Sequence, residues 1–284
     1  MSLEQGVAVV SEFMRNWLCV YSLADGSLVS RIGSEGREKG QFRFGNGDLC
    51  VSPDGESVLV ADLINNRVQQ IRIADGSWVR FIGEGVLQMP HYLDCNTEVV
   101  VVSELGEEDY GGRISVFSWV GGGLRAQFGT WGSGPGQLGR AGAVKLLANG
   151  RELVVIDKGN HRLCVFTVGG EFVSAIGSEE DGLHSPKRVL EYVSDGGGFI
   201  VSSWEARRDV VKFNRAGAKV GESAGSGTSV KLRDGGVAIK VGNDRVLKVF
   251  NCRDLRREWV TACATLAVRE MGSKPPKRVK VVDA

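Results

Sequence analysis

Two stretches of this chain place an acid, an amide and a base at one spacing. "DLINNRVQQI" (62–71) offers Asp62, Asn65 and Arg67, and "DKGNHRLCVF" (157–166) offers Asp157, Asn160 and Arg162. Carboxylate, amide and guanidinium together can hold a proton, a cation or an anionic substrate. His161 adds a group that titrates near neutral pH, and Lys158 adds a second cation. Alone, either stretch reads as a polar site with His161 as its catalytic candidate. The duplication changes the reading, because a group needed in unit after unit serves the unit before it serves a substrate.

The elements around these stretches repeat with them. The second unit is "ESVLVADLINNRVQQIRIADGSWVRFIG" (56–83) and the fourth is "RELVVIDKGNHRLCVFTVGGEFVSAIG" (151–177). Each reads as strand, Asp-x-x-Asn-x-Arg turn, strand, Gly turn, and a third strand ending in Ile-Gly. The first unit has Glu12 for the Asp and Trp17 for the Arg. The third carries an insertion, "ELGEEDYGGR", before Arg113, and the fifth and sixth are degraded, although Arg245 survives. The connecting loops "GSEGREKGQF" (33–42) and "GTWGSGPGQL" (129–138) share one spacing, and Pro90 and Pro186 open the next strands after shorter loops. Six units in 284 residues give about 47 residues each, enough for four short strands and their turns.

Composition agrees. The 40 glycines beside 6 prolines imply many tight turns, and therefore many short strands. No apolar run is long enough for a membrane span, and the first residues, "MSLEQGVAVVSEF", lack the pattern of a secretory signal, so an intracellular chain is expected. Six scattered cysteines without a Cys-x-x-Cys pair argue against a zinc cluster. Cys19 and Cys164 read as small buried apolar groups. Residues 244–284 hold ten Lys/Arg against five Asp/Glu, so a basic end follows a slightly acidic body.

About 24 evenly spaced short strands without helical periodicity favour an all-β propeller. The repeat also resembles the NHL family, named for an Asn-His-Leu trio, over nearly the whole chain and most strongly in units two and four. That resemblance implies a six-bladed β-propeller of four-stranded antiparallel blades. The first blade lacks an innermost strand, and a C-terminal strand near 265–271 is expected to supply it beside the strand at about 6–12, leaving 1–273 as one domain and 274–284 as a basic tail. Closure of this kind removes an exposed edge.

In such a blade the Asp-x-x-Asn-x-Arg turns and the inter-blade loops emerge at one end. Asp62, Asn65, Arg67, Arg113, Asp157, Asn160, Arg162 and Arg245 are expected to fasten turns and blades. The glycine loops lack the Gly-Lys-Ser/Thr ending and following helix of a phosphate cradle. Glu12, Asp62, Glu104 and Asp157 occupy equivalent positions and could ring a cation if they faced a central channel, but their place in the repeat points to turns, so no metal and no cofactor is expected.

Binding is assigned instead to the acidic insertions, Glu107, Glu108 and Asp109 with Glu179, Glu180 and Asp181, beside Lys158 and His161. A basic protein or peptide is the expected partner. Nucleic acid is disfavoured by the mildly acidic face. The expected protein is a monomeric, non-catalytic interaction scaffold, cytoplasmic with a possible nuclear address at Lys277–Lys280. Some NHL relatives act in ubiquitin transfer, which makes a substrate-recognition role in such an assembly the finer expectation. The alternatives are a metal-dependent propeller hydrolase, lactonase or lyase, and RNA binding as in other relatives.

Overall fold

The computed structural model describes residues 7–12, 15–22, 27–43, 47–105, 112–192, 197–203, 210–223, 240–241 and 247–248. Among them there is no α-helix, and no helix is long and apolar enough to cross a membrane. Five antiparallel sheets follow one another along the chain. The first has three strands, β1 (Val7–Glu12), β2 (Trp17–Ser22) and β3 (Leu28–Ile32). A short parallel pair, β4 (Ser34–Glu35) and β5 (Gln41–Phe42), bridges the next loop.

The second sheet is β6 (Leu49–Val51), β7 (Ser57–Asp62), β8 (Arg67–Arg72) and β9 (Trp78–Ile82), in that order. The third is β10 (Pro90–Cys95), β11 (Val99–Glu104), β12 (Arg113–Ser118) and β13 (Leu124–Phe128). A second parallel pair, β14 (Thr130–Trp131) and β15 (Gln137–Leu138), precedes the fourth sheet, β16 (Ala141–Leu146) to β17 (Glu152–Asp157), β18 (Arg162–Thr167) and β19 (Phe172–Ile176). The fifth is β20 (Pro186–Tyr192), β21 (Gly198–Ser203), β22 (Val210–Asn214) and β23 (Lys219–Ser223). Beyond it, β24 (Lys240–Val241) pairs with β25 (Leu247–Lys248). The closing strand expected near 265–271, Arg245 and the tail lie outside the described residues.

Burial explains why the second strand of each unit is a continuous apolar run. Every residue of β7 and of β11 is buried, because each face of the sheet is covered by a neighbouring sheet. Leu49, Val58, Val60 and Ile71 pack toward Val9, Leu18 and Val20 of the first sheet, while Leu59, Ala61, Val68 and Cys50 pack toward Leu93, Val100 and Phe117 of the third. Outermost strands are more exposed; β19 runs half-buried, exposed, half-buried, exposed, buried. β10 lies against β6 and β16, and β16 lies against β20, so the first strands of the four-stranded sheets gather on one side of the stack.

A register slip between the third and outermost strands recurs in all five sheets, at Val20/Tyr21, Gln70/Ile71, Val116/Phe117, Val165/Phe166 and Lys212/Phe213. A bulge increases local twist, which lets stacked blades splay around a centre. Its presence in the first and fifth sheets identifies them as the same unit despite their weaker sequence match.

The glycine after the outer strand of the second and of the fourth sheet is fixed by packing as well as by dihedral. A Cβ on Gly83, at φ +70°, would lie 2.5 Å from Leu87 and 2.8 Å from Phe117; on Gly177, at φ +74°, it would meet Leu183 at 2.6 Å and Phe213 at 2.9 Å. Gly121, at φ +79°, has no atom within 4 Å of the same position. Gly121→Ala is therefore expected to cost about 1 kcal/mol, the left-handed strain alone. Gly83→Ala should cost about 3 kcal/mol, because overpacking adds to the strain. Urea unfolding followed by circular dichroism compares the two, and equal costs would show that the Leu87–Phe117 contact places no demand on residue 83.

Candidate functional site

At the end of β7 the chain enters a 3-10 turn (Leu63–Asn65) that ends with Asn66 in the left-handed conformation; the turn after β17 (Lys158–Asn160) ends likewise at His161. Asparagine and histidine tolerate this geometry better than most residues. Both turns therefore curl back over the carboxylate that precedes them.

Asp62 is fully buried, and its two oxygens accept five hydrogen bonds from four donor groups. These are the Arg43 amide at 2.7 Å, Asn65 Nδ2 at 3.0 and 2.9 Å, Arg67 Nε at 3.0 Å and Gln69 Nε2 at 2.9 Å. The donors then reach outward into the loop ahead of the sheet. Arg67 Nη2 donates to the carbonyls of Arg37 (2.7 Å) and Glu38 (3.2 Å), Asn65 Nδ2 to that of Gly36 (2.8 Å), and Gln69 Nε2 to that of Gln41 (2.6 Å). The Arg67 guanidinium also lies 4.0 Å from the Phe81 ring centre.

Asp157 repeats the arrangement. It accepts from the Gly139 amide (2.8 Å), Asn160 Nδ2 (2.7 Å) and Arg162 Nε (2.9 Å), while Arg162 Nη2 holds the Gly134 and Gln137 carbonyls at 3.1 Å and Asn160 holds that of Gly132 at 2.8 Å. In the third sheet Glu104 takes a two-oxygen fork from Arg113 (3.1 and 2.6 Å), and the Gln88 amide (2.7 Å) and the Ser115 hydroxyl complete it. In the first, Glu12 accepts from Trp17 Nε1 at 2.8 Å. The indole N–H stands where Arg Nε stands elsewhere.

The thiols of Cys19 and Cys164 belong to this set. Cys164 Sγ lies 3.9 Å from Asp157 and Cys19 Sγ 3.6 Å from Glu12, in the position held by Gln69 and Ser115 in the other two sheets. Burial pushes the Cys164 thiol up to about 12 against the pull of Arg162; burial and then the Glu12 charge raise Cys19. Both stay protonated donors at neutral pH. The signal was present in the sequence as a column of Cys, Gln, Ser and Cys two residues after the fastening Arg or Trp, all of them hydrogen-bond donors.

His161 joins the turn to the next blade. Its Nδ1 lies 3.0 Å from the Leu183 carbonyl and 3.3 Å from the Ser185 amide, directly ahead of Pro186. Asn66 Oδ1 does the same service ahead of Pro90, accepting from the Met89 amide at 2.8 Å. Lys158, half-buried in the turn, donates its amide to the Arg140 carbonyl at 2.9 Å.

A second polar group occupies the first strands. Asp48, just ahead of β6, meets Arg188 of β20 at 2.7 Å, and the Arg188 guanidinium lies 4.8 Å from the Tyr92 ring centre of β10. Burial opposes the charge on Arg188 most strongly, but the Asp48 carboxylate and Tyr92 together overcome it, so the guanidinium holds its proton more tightly than usual. This contact joins the second, third and fifth sheets, which requires their first strands to converge on a common centre. Lys145 and Asp94 pair nearby at 3.1 Å between the fourth and third sheets.

The turns and inter-blade loops share one end of the stack. Exposed there are Trp131 (63%), Ile64 (48%), Val86 (38%) and Met89 (38%). Glu179 and Glu180 are exposed on the loop before β20, with Glu179 3.5 Å from His184 Nδ1, while Asp181 turns inward to accept from Ser178 Oγ at 2.9 Å. Glu107, Glu108 and Asp109 lie outside the described residues. Glu12, Asp62, Glu104 and Asp157 each bond within their own blade, and no cluster of three or more His, Cys, Asp or Glu suited to a metal occurs among the described residues.

A buried carboxylate that loses its guanidinium is left uncompensated. Asp157→Ala and Arg162→Ala are each expected to lower the unfolding free energy by about 4 kcal/mol. Arg67→Lys should cost about 2 kcal/mol, since an ammonium cannot hold Asp62 and two loop carbonyls at once. Urea titration measures all three, with exposed Arg151→Lys as a control expected to change stability by under about 0.5 kcal/mol. Maleimide labelling at pH 8 should leave Cys164 unmodified until global unfolding; early labelling would contradict a protonated, buried thiol.

No family model and no curated protein matches the chain. Solved structures do. A putative 6-phosphogluconolactonase from Bacteroides fragilis aligns with TM-score 0.61 and 15% identity, covering 90% of this chain and 81% of that one. A nidogen/laminin complex aligns with TM-score 0.55 and 14% identity over 77% and 80%. The hydrazine synthase of Kuenenia stuttgartiensis aligns with TM-score 0.52 and 14% identity over 88% and 66%. These neighbours are β-propeller proteins, some binding and some enzymatic, and at such low identity they establish the fold alone: the chain is a β-propeller.

Proposed function

We propose that this propeller is a non-catalytic interaction scaffold of the NHL type, with six blades, that binds a protein or peptide through the end carrying its turns and loops. The observation that carries this reading is the exposure of Trp131, Ile64, Val86 and Met89 on one face. Large apolar groups presented by loops on a rigid frame are the usual anchors of a protein contact. The acids of that face add direction. Exposed Glu179 and Glu180, with Glu107, Glu108 and Asp109 on the insertion, favour a basic partner.

The enzyme alternative is the weaker reading. Asp62, Glu104 and Asp157 are engaged by the arginines of their own blades, Glu12 by Trp17, and Asp48 with Arg188 occupies the gathered first strands. We place the protein in the cytoplasm, with a substrate-recognition role in a ubiquitin-transfer assembly as the finer form of the proposal.

The test uses fluorescent peptides of matched length, one rich in Lys and aromatic residues and one rich in Asp and Glu, titrated with the full chain by anisotropy. The basic peptide is expected to bind more tightly, and Trp131→Ala or the double change Glu179→Lys, Glu180→Lys should each weaken it at least about tenfold. Preference for the acidic peptide, or indifference to both changes, would overturn the reading.

A further inference from the structure

At the end of the stack opposite the loops, Cys50 of β6 and Cys95 of β10 face each other across the contact between the second and third sheets. Their sulfurs are 3.5 Å apart, and Cys95 Sγ also lies 3.4 Å from the carbonyl oxygen of Val51, the neighbour of Cys50. The two thiols are unequal. Cys50 is buried at 2% exposure within the apolar cluster of Leu59, Leu93 and Val100, whereas Cys95 is partly open to solvent at the cluster's edge.

We infer that Cys50 and Cys95 form an oxidisable pair, a modification site at which a peroxide-class oxidant closes an inter-blade disulfide. Three observations support this assignment. First, the pair is already in contact, and the ~2.05 Å bond of a disulfide needs the sulfurs to approach by roughly 1.5 Å more. Second, access is asymmetric: Cys95 meets the oxidant and Cys50 waits behind it. The Cys95 hydrogen bond, with burial second, holds the Cys50 proton well above its ordinary range, which suits a resolving rather than an attacking thiol. Third, Arg80, whose guanidinium is fixed by Gln70 Oε1 and the Trp119 carbonyl at 2.7 Å each, is close enough to interact electrostatically with Cys95 and so marks the solvent side of the pair as polar.

The chemistry balances in two steps. The Cys95 sulfur attacks one peroxide oxygen; an S–O bond forms, the O–O bond breaks, and the second oxygen leaves as water with the thiol proton. The Cys50 sulfur then attacks the Cys95 sulfenic acid; the S–S bond forms, the S–O bond breaks, and the hydroxyl leaves as water with the Cys50 proton. Two thiols are oxidised by two electrons and one peroxide is reduced to two waters.

Cys19 and Cys164 lack this arrangement, since each faces a carboxylate of its own blade. The resulting bond ties first strands 45 positions apart and so restrains the separation of two blades. It sits away from the loop face, so it alters the rigidity of the ring without touching the proposed binding surface.

The full chain is treated with hydrogen peroxide under native conditions, quenched with an alkylating agent and digested with trypsin. A linked species of peptides 44–67 and 81–113, two hydrogens lighter than their sum and lost on dithiothreitol treatment, is the expected product. Oxidised wild type should unfold at higher urea than the reduced form, and Cys50→Ser should instead accumulate a Cys95 sulfenic acid that dimedone traps. Absence of the linked peptide from protein that remains folded would overturn the inference. So would a dominant link through Cys252 or Cys263, or equal dimedone labelling of wild type and Cys50→Ser.

Discussion

A carboxylate buried at the end of a strand, surrounded by N–H donors that each hold something else, is the interaction on which these blades depend. Asp62 takes the Arg43 amide from the incoming loop, Asn65 from its own turn, and Arg67 and Gln69 from the next strand. The loop it gathers is rich in glycines at positive φ, and its carbonyls at Gly36, Arg37, Glu38 and Gln41 accept from side chains of the sheet. Arg67 and Gln69 supply those carbonyls with donors while remaining fixed by the acid. An apolar replacement of the ion pair could fill the space, but it would leave the loop carbonyls without partners, which explains why a charge is kept where desolvation is costly.

The same demand is met differently as the units diverge. A longer acid, Glu104, is matched by an Arg113 fork and a hydroxyl, and Glu12 is matched by an indole N–H and a thiol. Each unit keeps side-chain donors around its acid, while their number and identity drift. In the fifth sheet the register puts Ser203 at the position of Glu104, since both pair with the proline that opens the first strand. A unit that gives up the acid also loses its sequence signature, which is why the repeat fades there although the bulge persists.

How much could be read in advance follows from the same logic. The apolar runs "VLVAD" and "LVVID" announce strands covered on both faces, the shared turns announce one unit repeated, and an all-β propeller follows. The roles of Cys19 and Cys164 were obscured because a thiol is both apolar in bulk and a weak donor, and single strands show only the first property. Asp48 and Arg188 were invisible for another reason. They are 140 positions apart, occupy strands that look ordinary, and meet only because several sheets converge on one centre. Contacts between sheets distant in sequence carry no local pattern. The acidic insertion of the third unit was easy to notice because it interrupts a repeat, and that interruption, rather than its charge alone, marks it as a place where the blade is not the reason for the residues.

This division decides where recognition can occur. Residues that repeat are committed to fastening: the carboxylates of Asp62, Glu104 and Asp157 and the guanidinium groups of Arg67, Arg113 and Arg162 are engaged with one another and with the loops. The gathered first strands carry Arg188, held by Asp48 and stacked near Tyr92, so a ligand entering between them would first have to separate a part-buried ion pair. Exposed loop groups carry no such penalty. Trp131, Ile64, Val86 and Met89 gain from being covered, and the rigid hubs beneath them keep the ordering cost of that coverage low. A partner broad enough to span several blades collects these separate contacts at once, whereas a small molecule reaches one or two, and this difference is the physical ground of the macromolecular contact proposed for the loop face.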